Sequence, residues 1–320
     1  MKVIVTGGAG FIGSHIVDSL IEQGHKVVVI DNLSTGYIYN VHPQARFYLK
    51  SITDQQIFDI FTYEKPDYVF HQAAQIDVQV SLKQPYFDAK VNILGTINIL
   101  EACIKSGVKK IIYASSAAAY GEPEYLGINE QHRIDPISYY GISKHTPEHY
   151  LRIYQRQYRL MFTALRYANV YGIRQDPKGE GGVISIFIDR VLGSQNPIIF
   201  GDGNQTRDFV YVKDIVSANL AAIHNADGQI LNIGTGIQTS INVLLETIKT
   251  ITGLRIQANY APERPGDIRH CYFNNAKAKE LLAWVPRHSL EAGLRETIEY
   301  YSVLKKTTRS LSDKIGQTWN

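Results

Sequence analysis

A β-branched run near the N-terminus, Lys2-Val3-Ile4-Val5-Thr6, breaks into Gly7-Gly8-Ala9-Gly10-Phe11-Ile12-Gly13 and passes at once into an amphipathic pattern carried by Ile12, Ile16, Leu20 and Ile21. No other stretch restricts the fold as much. The run has the composition of a buried strand and the pattern after it has a helical period. Glycines at such a junction allow a tight turn and let backbone approach a pyrophosphate, whose charge then lies at the positive end of the helix. A second strand candidate, Lys26-Val27-Val28-Val29-Ile30, ends in Asp31, eighteen residues after Gly13. A carboxylate there accepts from both ribose hydroxyls of an adenosine and repels a 2′-phosphate, so the cofactor expected is NAD. Strand, turn, helix and acid together define a dinucleotide site. Its expected members are Gly7, Gly10, Phe11, Ile12, Gly13 and Asp31, with the polar turn Asn32, Ser34, Thr35 and Gly36 beside them.

The alternation continues. Strand candidates at 46–49, 68–70, 110–114 and 161–166 are separated by helical patterns at 54–63, 85–105 and 138–158. Strands and helices of these lengths imply parallel βαβ units with right-handed crossovers. After Gly172 the regularity loosens. A helix at 184–192 and short strands at 198–200 and 209–212 are followed by a helix at 212–226 and a strand at 229–233 suited to rejoining the sheet. The remainder is mixed, with a helix at 242–252, a strand at 256–260, helices at 275–282 and 290–305, and a loosely packed tail from Thr307. The fold class expected is therefore α/β, a doubly wound parallel sheet of the Rossmann type with a smaller mixed α/β substrate domain. Residues 1–171 and 213–236 are assigned to the NAD-binding domain, and 172–212 and 237–320 to the substrate domain.

Composition removes several function classes. A net charge of +3 without a long basic run gives no electrostatic footprint for nucleic acid. Two distant cysteines, Cys103 and Cys271, supply neither a metal site nor a disulfide framework and favour a reducing compartment. No apolar run approaches the ~18 residues of a membrane span, so the chain is expected in the cytoplasm.

The chemistry lies further along. Tyr140 and Lys144 are four residues apart on one predicted helix, which brings their heads together on one face. An ammonium beside a phenol favours the phenolate. Tyrosine titrates near 10, so work near pH 7 needs roughly 4 kcal/mol of differential stabilisation. Taken alone, such a pair is more often an ordinary feature of a helix surface. Ser116 follows a strand whose carboxyl end should face the same crevice, where its hydroxyl could bond a substrate oxygen while Tyr140 exchanges a proton. Gln72, Ala73 and Ala74 follow another strand, and residues this small suit close approach of a cofactor.

Together Gly7–Gly13, Asp31, Ser116, Tyr140 and Lys144 resemble the extended short-chain dehydrogenase/reductases. Within them the chain is most similar to the UDP-glucose/UDP-galactose 4-epimerases of the short bacterial and archaeal kind, over residues 1 to about 300. Further points of likeness are Asp31–Gly36, Leu165-Arg166-Tyr167-Ala168-Asn169, Arg207-Asp208 and Arg264-Pro265-Gly266-Asp267. The resemblance implies Tyr140 as base, Lys144 as its charged neighbour and a ligand of the nicotinamide ribose, and Ser116 as hydroxyl partner. It implies Asn169, Arg207 and Arg264 at the substrate diphosphate, Asp267 at its ribose, and Ile52 and Asn92 among the contacts of a tightly held NAD regenerated in each turnover. A UDP-sugar substrate and a homodimer built on the 85–105 and 138–158 helices are implied as well. In the implied mechanism the C4 hydride passes to NAD, and the 4-keto sugar swings about its diphosphate and takes the hydride back on its other face.

Two positions depart from the family pattern. Many relatives carry Asp where Ser51 stands, which weakens the expected adenine contact, and Pro147 follows Lys144 by three residues within the same helix. Cys271 stands where the family borders the C2 substituent of the hexose. A small residue there implies tolerance of an N-acetyl group, so UDP-N-acetylglucosamine/galactosamine is expected as substrate beside UDP-glucose/galactose; a buried core cysteine without selectivity is the other reading. Ala117-Ala118 stands where dehydratase relatives have Asp-Glu, which argues against water loss. A UDP-glucuronate epimerase or decarboxylase stays open. A non-catalytic NAD sensor would not need the Tyr140/Lys144 pair.

Overall fold

The computed structural model describes residues 1–178, 182–263 and 268–317, with side chains to residue 306. Seven strands form one sheet: β1 Lys2–Thr6, β2 Lys26–Asp31, β3 Arg46–Leu49, β4 Tyr68–His71, β5 Lys110–Ser116, β6 Met161–Tyr167 and, far along the chain, β11 Gln229–Ile233. Their order is β11-β6-β5-β4-β1-β2-β3, and every pairing is parallel. Winding reverses between β1 and β4, and that reversal opens a crevice beyond the carboxyl ends of both strands.

Alternate side chains of each strand enter different cores, as the two-residue period of a strand requires. Val3, Val5, Val27 and Val29 pack with α1 (Phe11–Glu22) through Ile16, Val17 and Leu20, and with α8 (Val212–Ala221) through Ile215 and Ala218. Ile4, Val28 and Ile30 face the other way. They meet α2 (Ile57–Glu64), α5 (Gly95–Ser106) and α6 (Tyr139–Tyr158) through Ile57, Phe61, Leu100 and Leu151.

A third core gathers β7 (Asn169–Tyr171), β8 (Ile198–Phe200) and β10 (Phe209–Tyr211) with α7 (Val183–Leu192), α9 (Ile241–Thr252) and α11 (Leu290–Gln317). Around it lie three two-stranded sheets: β10 with β7, β12 (Thr239–Ser240) with β9 (Thr206–Arg207), and β13 (Asn259–Ala261) with β8.

Several expected elements shift. The 85–105 helix is continuous in space but composed of α4 (Pro85–Ala89), a π turn at Lys90–Leu94, and α5. A short helix α3 (Val78–Lys83) precedes it, and α10 (Ala276–Leu282) lies near the C-terminal end. The strand expected at 256–260 is β13 at Asn259–Ala261, because pairing with β8 sets it while Ile256 serves the third core. The helix expected to reach Ala226 ends at Ala221, and Ala226 itself takes a left-handed φ of 59°. The backbone of α11 stays helical past Lys305 to Gln317, where a loose tail was expected. Pro147 is accommodated inside α6, which runs unbroken from Tyr139 to Tyr158.

Candidate active site

The glycine turn closes on itself. Gly7 holds φ at +71°, and a Cβ built there would lie 2.6 Å from the amide nitrogen of Ala73 at the end of β4. At Gly13 a Cβ would fall 2.1 Å from the carbonyl oxygen of Gly7. Neither position has room for a side chain. No side chain caps α1 and its first turn carries no acid, and the N–H groups at Phe11, Ile12 and Gly13 lack helical acceptors by position. That leaves a concave, positively polarised cradle with the geometry of an anion site.

Asp31 is 8 % exposed at the end of β2. Its Oδ2 accepts from the N–H of Ala9 at 3.0 Å and its Oδ1 from that of Leu33 at 2.8 Å. Burial raises its pKa, which those two hydrogen bonds counter. The acid thus braces the glycine turn, and each oxygen keeps a lone pair for a ligand. Asn32 Oδ1 accepts from the N–H of Ser34 at 3.1 Å, Thr35 is exposed, and Gly36 packs so closely on Ala9 that a Cβ would lie 2.8 Å from its carbonyl carbon.

Across the switch point a directed chain of hydrogen bonds ties three elements together. The N–H of Ala73 donates to Thr6 Oγ1 at 3.3 Å, and Thr6 Oγ1 lies 2.7 Å from His71 Nδ1. His71 Nε2 lies 3.0 Å from Thr96 Oγ1, which donates to the carbonyl of Asn92 at 2.6 Å. Because Thr96 gives its proton away, it must accept from Nε2, and Nδ1 then accepts from Thr6. Burial and the Lys144 ammonium lower His71 to about 3, so the ring stays neutral. Gln72 points its amide at the Tyr167 hydroxyl (3.2 Å) and at Asn219 (3.3 Å), while Ala73 and Ala74 leave the floor of the crevice low. Ile52 is buried, and a Cβ on Gly95 of α5 would touch its Cδ1 at 2.7 Å. Ser51 Oγ, at the position where an acid was missed, is 2.9 Å from Thr53 Oγ1. Asn92, in the π turn, donates to the Gln75 carbonyl (2.9 Å), Asp88 (3.2 Å) and Ser143 Oγ (2.9 Å).

Ser116 closes β5 and caps the turn 117–119, its Oγ accepting from the N–H of Ala118 at 3.2 Å. Ser138 caps α6 by accepting from the N–H of Gly141. A Cβ on Gly141 would lie 2.4 Å from the Ala118 carbonyl oxygen, so the first turn of α6, with the half-buried Tyr140, is pressed against the turn that Ser116 caps. One turn further, Lys144 is 4 % exposed with Nζ 4.7 Å from the centre of the Tyr113 ring. Burial lowers Lys144 to about 8, against the pull of Asp88 and Glu148.

Behind this face lies a buried ion pair that was not anticipated. Arg166 on β6 donates to both oxygens of Glu148 on α6, Nε at 2.9 Å and Nη2 at 2.5 Å, and Ser115 Oγ adds a third bond at 2.6 Å. Burial alone would raise Glu148, but the hydrogen bonds from His145, Arg166 and Ser115 hold it at about 2. Arg166 Nη1 continues to the Tyr120 hydroxyl at 2.8 Å, which donates to Asn232 at 2.7 Å. A signal existed in the sequence: Glu148 stands four residues beyond Lys144, on the apolar face of its helix.

On the far wall, Asn169 is exposed at the start of β7, with its N–H on the Asp208 carbonyl at 2.9 Å. Arg207 lies on β9, and the N–H of Cys271 donates to the carbonyl of the preceding Thr206 at 3.2 Å. Asp208 turns inward and takes N–H donors from Thr235 (2.8 Å), Gly236 (3.0 Å) and Phe273 (3.2 Å), so its carboxylate serves the fold. Cys271 packs with Tyr120, Ile128 and Phe273, with Ala117 beside them. That puts it next to the turn capped by Ser116. Burial raises its thiol to about 11. Contacts thus join the turn capped by Ser116 to the first turn of α6, the helix that carries Tyr140 and Lys144, and set Cys271 beside Ala117 and against the strand that carries Arg207; Arg264 and Asp267 lie outside the described residues.

Comparison with known proteins finds relatives over most of the chain. The UDP-glucose 4-epimerase of Thermotoga maritima, solved with UDP-glucose, superposes with a TM-score of 0.94 at 49% identity, covering 96% of this chain and 100% of that one. A UDP-glucose 4-epimerase of Mycolicibacterium smegmatis is 40% identical over 308 residues, 94% of this chain and 98% of that protein. The UDP-N-acetylglucosamine 4-epimerase of Methanobrevibacter ruminantium, solved with UDP-N-acetylmuramic acid, has a TM-score of 0.90 at 37% identity, covering 94% and 97%. Residues 3–234 match the model of the NAD dependent epimerase/dehydratase family. The chain belongs to that family.

Proposed function

We propose that this protein interconverts UDP-hexoses at C4 with a resident NAD, and that it accepts both plain and 2-N-acetylated sugars. The observation that carries the reaction is the convergence of Tyr140, the buried Lys144 and the Ser116 turn at the open end of the β1–β4 crevice. The residues fit NAD: the turn at Gly7 and Gly13 has no room for side chains, and Asp31 stands where a ribose without a 2′-phosphate belongs. Gly10, Phe11 and Ile12 would meet the pyrophosphate, Asn32–Gly36 the adenosine ribose, and Lys144 the nicotinamide ribose.

When bound, NAD supplies the acceptor and then the donor of the C4 hydride. Tyr140 takes the proton of the C4 hydroxyl at its phenol oxygen and later returns it. Lys144, an ammonium held in a dry site, stabilises the phenolate, and Ser116 hydrogen-bonds the C4 oxygen. Arg207 and Asn169 hold the diphosphate side, where a planar guanidinium binds phosphate oxygens in pairs. Firm anchoring there, with few charges near the hexose, lets the sugar turn over between the two hydride transfers.

The division into an NAD part (1–171, 213–236) and a substrate part (172–212, 237–320) belongs to the same reading; the third core lies mainly in the second part, although Ala278, Leu282 and Trp284 of that part pack into the first core beside the sheet. Exposed Tyr86, Phe87 and Leu94 on α4 and the π turn, with Ile142 and Ile153 on α6, form the face for a homodimer. Both cysteines are free thiols, in keeping with a reducing compartment. Among the described residues no helix is long and apolar enough to cross a membrane.

Cys271 carries the substrate range. A thiol beside Ala117 is much smaller than the phenol ring a tyrosine would place there. A substrate panel on the NAD-bound protein tests it: UDP-galactose and UDP-N-acetylgalactosamine are both converted, and Cys271→Tyr retains the first and loses the second. No turnover of the N-acetylated sugar by the unaltered protein overturns the wider range, and no turnover of either overturns the reaction.

A further inference from the structure

Lys144 is a buried cation without an ion pair of its own. Within 4 Å no carboxylate of the described residues bridges it, and the nearest full partner on its own helix, Glu148, is already committed to Arg166, Ser115 and His145. A second buried carboxylate also acts on Lys144. Asp88 of α4 is 1 % exposed, its Oδ1 accepts from Gln75 Nε2 at 2.7 Å and from Asn92 Nδ2 at 3.2 Å, and its Oδ2 has no hydrogen-bond partner among the described residues. The same Asn92 amide donates to Ser143 Oγ, the residue before Lys144. A carboxylate with one naked oxygen is costly to bury unless a cation lies close by.

We propose that Asp88 is the counter-charge of Lys144, a positioning residue that keeps the lysine protonated in its dry site and, through Asn92 and Ser143, in register with Tyr140. The charges behind the crevice then balance as two pairs, Glu148 with Arg166 in contact and Asp88 with Lys144 through space. The groups facing Lys144 are otherwise poor substitutes. His71 on β4 is neutral, Tyr113 on β5 offers a ring face and has its own pKa raised well above the usual value by burial, and Tyr140 on α6 is the group Lys144 serves. Removing the Asp88 charge leaves burial unopposed on that side, and the lysine should lose its proton at lower pH.

The inference rests on the reading of Tyr140 and Lys144 given above, so its test includes a measurement that needs no turnover. The Lys144 13Cε resonance, assigned by its loss in Lys144→Arg, is titrated in the NAD-bound protein and in Asp88→Asn, which keeps the shape and the Oδ1 acceptor. The midpoint should fall by at least about one pH unit in Asp88→Asn, and the alkaline limb of kcat should fall with it while KM changes little. Gln75→Met, which removes a hydrogen bond to Asp88 and leaves its charge, should move neither. Should Asp88→Asn fail to retain NAD, Asp88→Glu keeps the charge and must keep the wild-type midpoint. An unmoved midpoint in Asp88→Asn, an equal loss of kcat at every pH, or the same change in Gln75→Met overturns the proposal. Absence of turnover in the unaltered protein with the midpoint displaced as expected would overturn the epimerase reading and leave the charge pairing standing.

Discussion

The wall proposed to meet the cofactor and the wall proposed to meet the substrate are built by opposite means. Along the first, backbone does the binding: Gly7 and Gly13 exclude side chains, and Asp31 anchors the turn through the N–H of Ala9. Along the second, the side chains proposed to bind come from distant segments: Asn169 from β7, Arg207 from the two-residue β9, and Cys271 from the segment whose N–H donates to the Thr206 carbonyl. A backbone cradle is contiguous, cannot be retuned one side chain at a time, and holds the part of the chemistry that never changes. A wall of separate side chains can exchange a cysteine for a larger residue and alter its ligand without disturbing the sheet.

Three experiments press on that contrast. Tyr140→Phe stands between the walls and should have the largest effect: kcat falls by about 10²–10⁴, with NAD content by absorbance and the UDP-sugar KM nearly unchanged. A parallel loss of NAD would mean that the catalytic helix also builds the cofactor wall. Next, Gly13→Ala would set a Cβ 2.1 Å from the Gly7 carbonyl oxygen, and backbone must move to admit it. Stability by denaturant titration should drop by about 3 kcal/mol and the purified protein should carry less NAD, and retention of both would show the cradle to be adaptable.

The third concerns the joint. His15 of α1 hydrogen-bonds the carbonyl of Ile173 at 3.0 Å, and burial first, then Arg174, lowers its pKa to about 4 against the bond to Ile173. Its folded pKa lies below the unfolded value of 6.5, so the unfolded chain binds the proton first. Stability contributed by the neutral ring is present above pH 6.5 and is lost as pH falls towards 4, by roughly 2 kcal/mol at pH 4.5 relative to pH 7. Melting curves across that range should show the decline, and His15→Gln should flatten it.

The contrast also explains what could be read in advance. The cofactor wall was legible because its parts are contiguous and its glycines are forced by sterics; Gly7 to Asp31 spans β1, α1 and β2 without interruption. Asp31 was read as a ribose ligand only, and its second role in holding Ala9 needed the fold to be seen. Tyr140 and Lys144 were visible through helical spacing. Glu148, Arg166 and Asp88 were not assigned roles, because a buried charge looks like a surface charge until its partner, which for Asp88 and the proposed Lys144 stands 56 residues along the chain, is brought near it. The substrate wall was reached through resemblance: β9 and β12 have two residues each, too short for any periodicity to announce.

The π turn at Lys90–Leu94 has a consequence of its own. A π turn holds one residue more than the α-helical turn it replaces, so it acts as an insertion within a rod that otherwise keeps time. Removing a single residue from it would leave the hydrophobic stripe of α5 seated on Ile52 and the sheet, yet rotate everything before it by about 100°. Asp88 would swing out of the interior and another side chain would swing in. This one-residue offset sets the phase between a helix that serves the core and a helix that serves the chemistry.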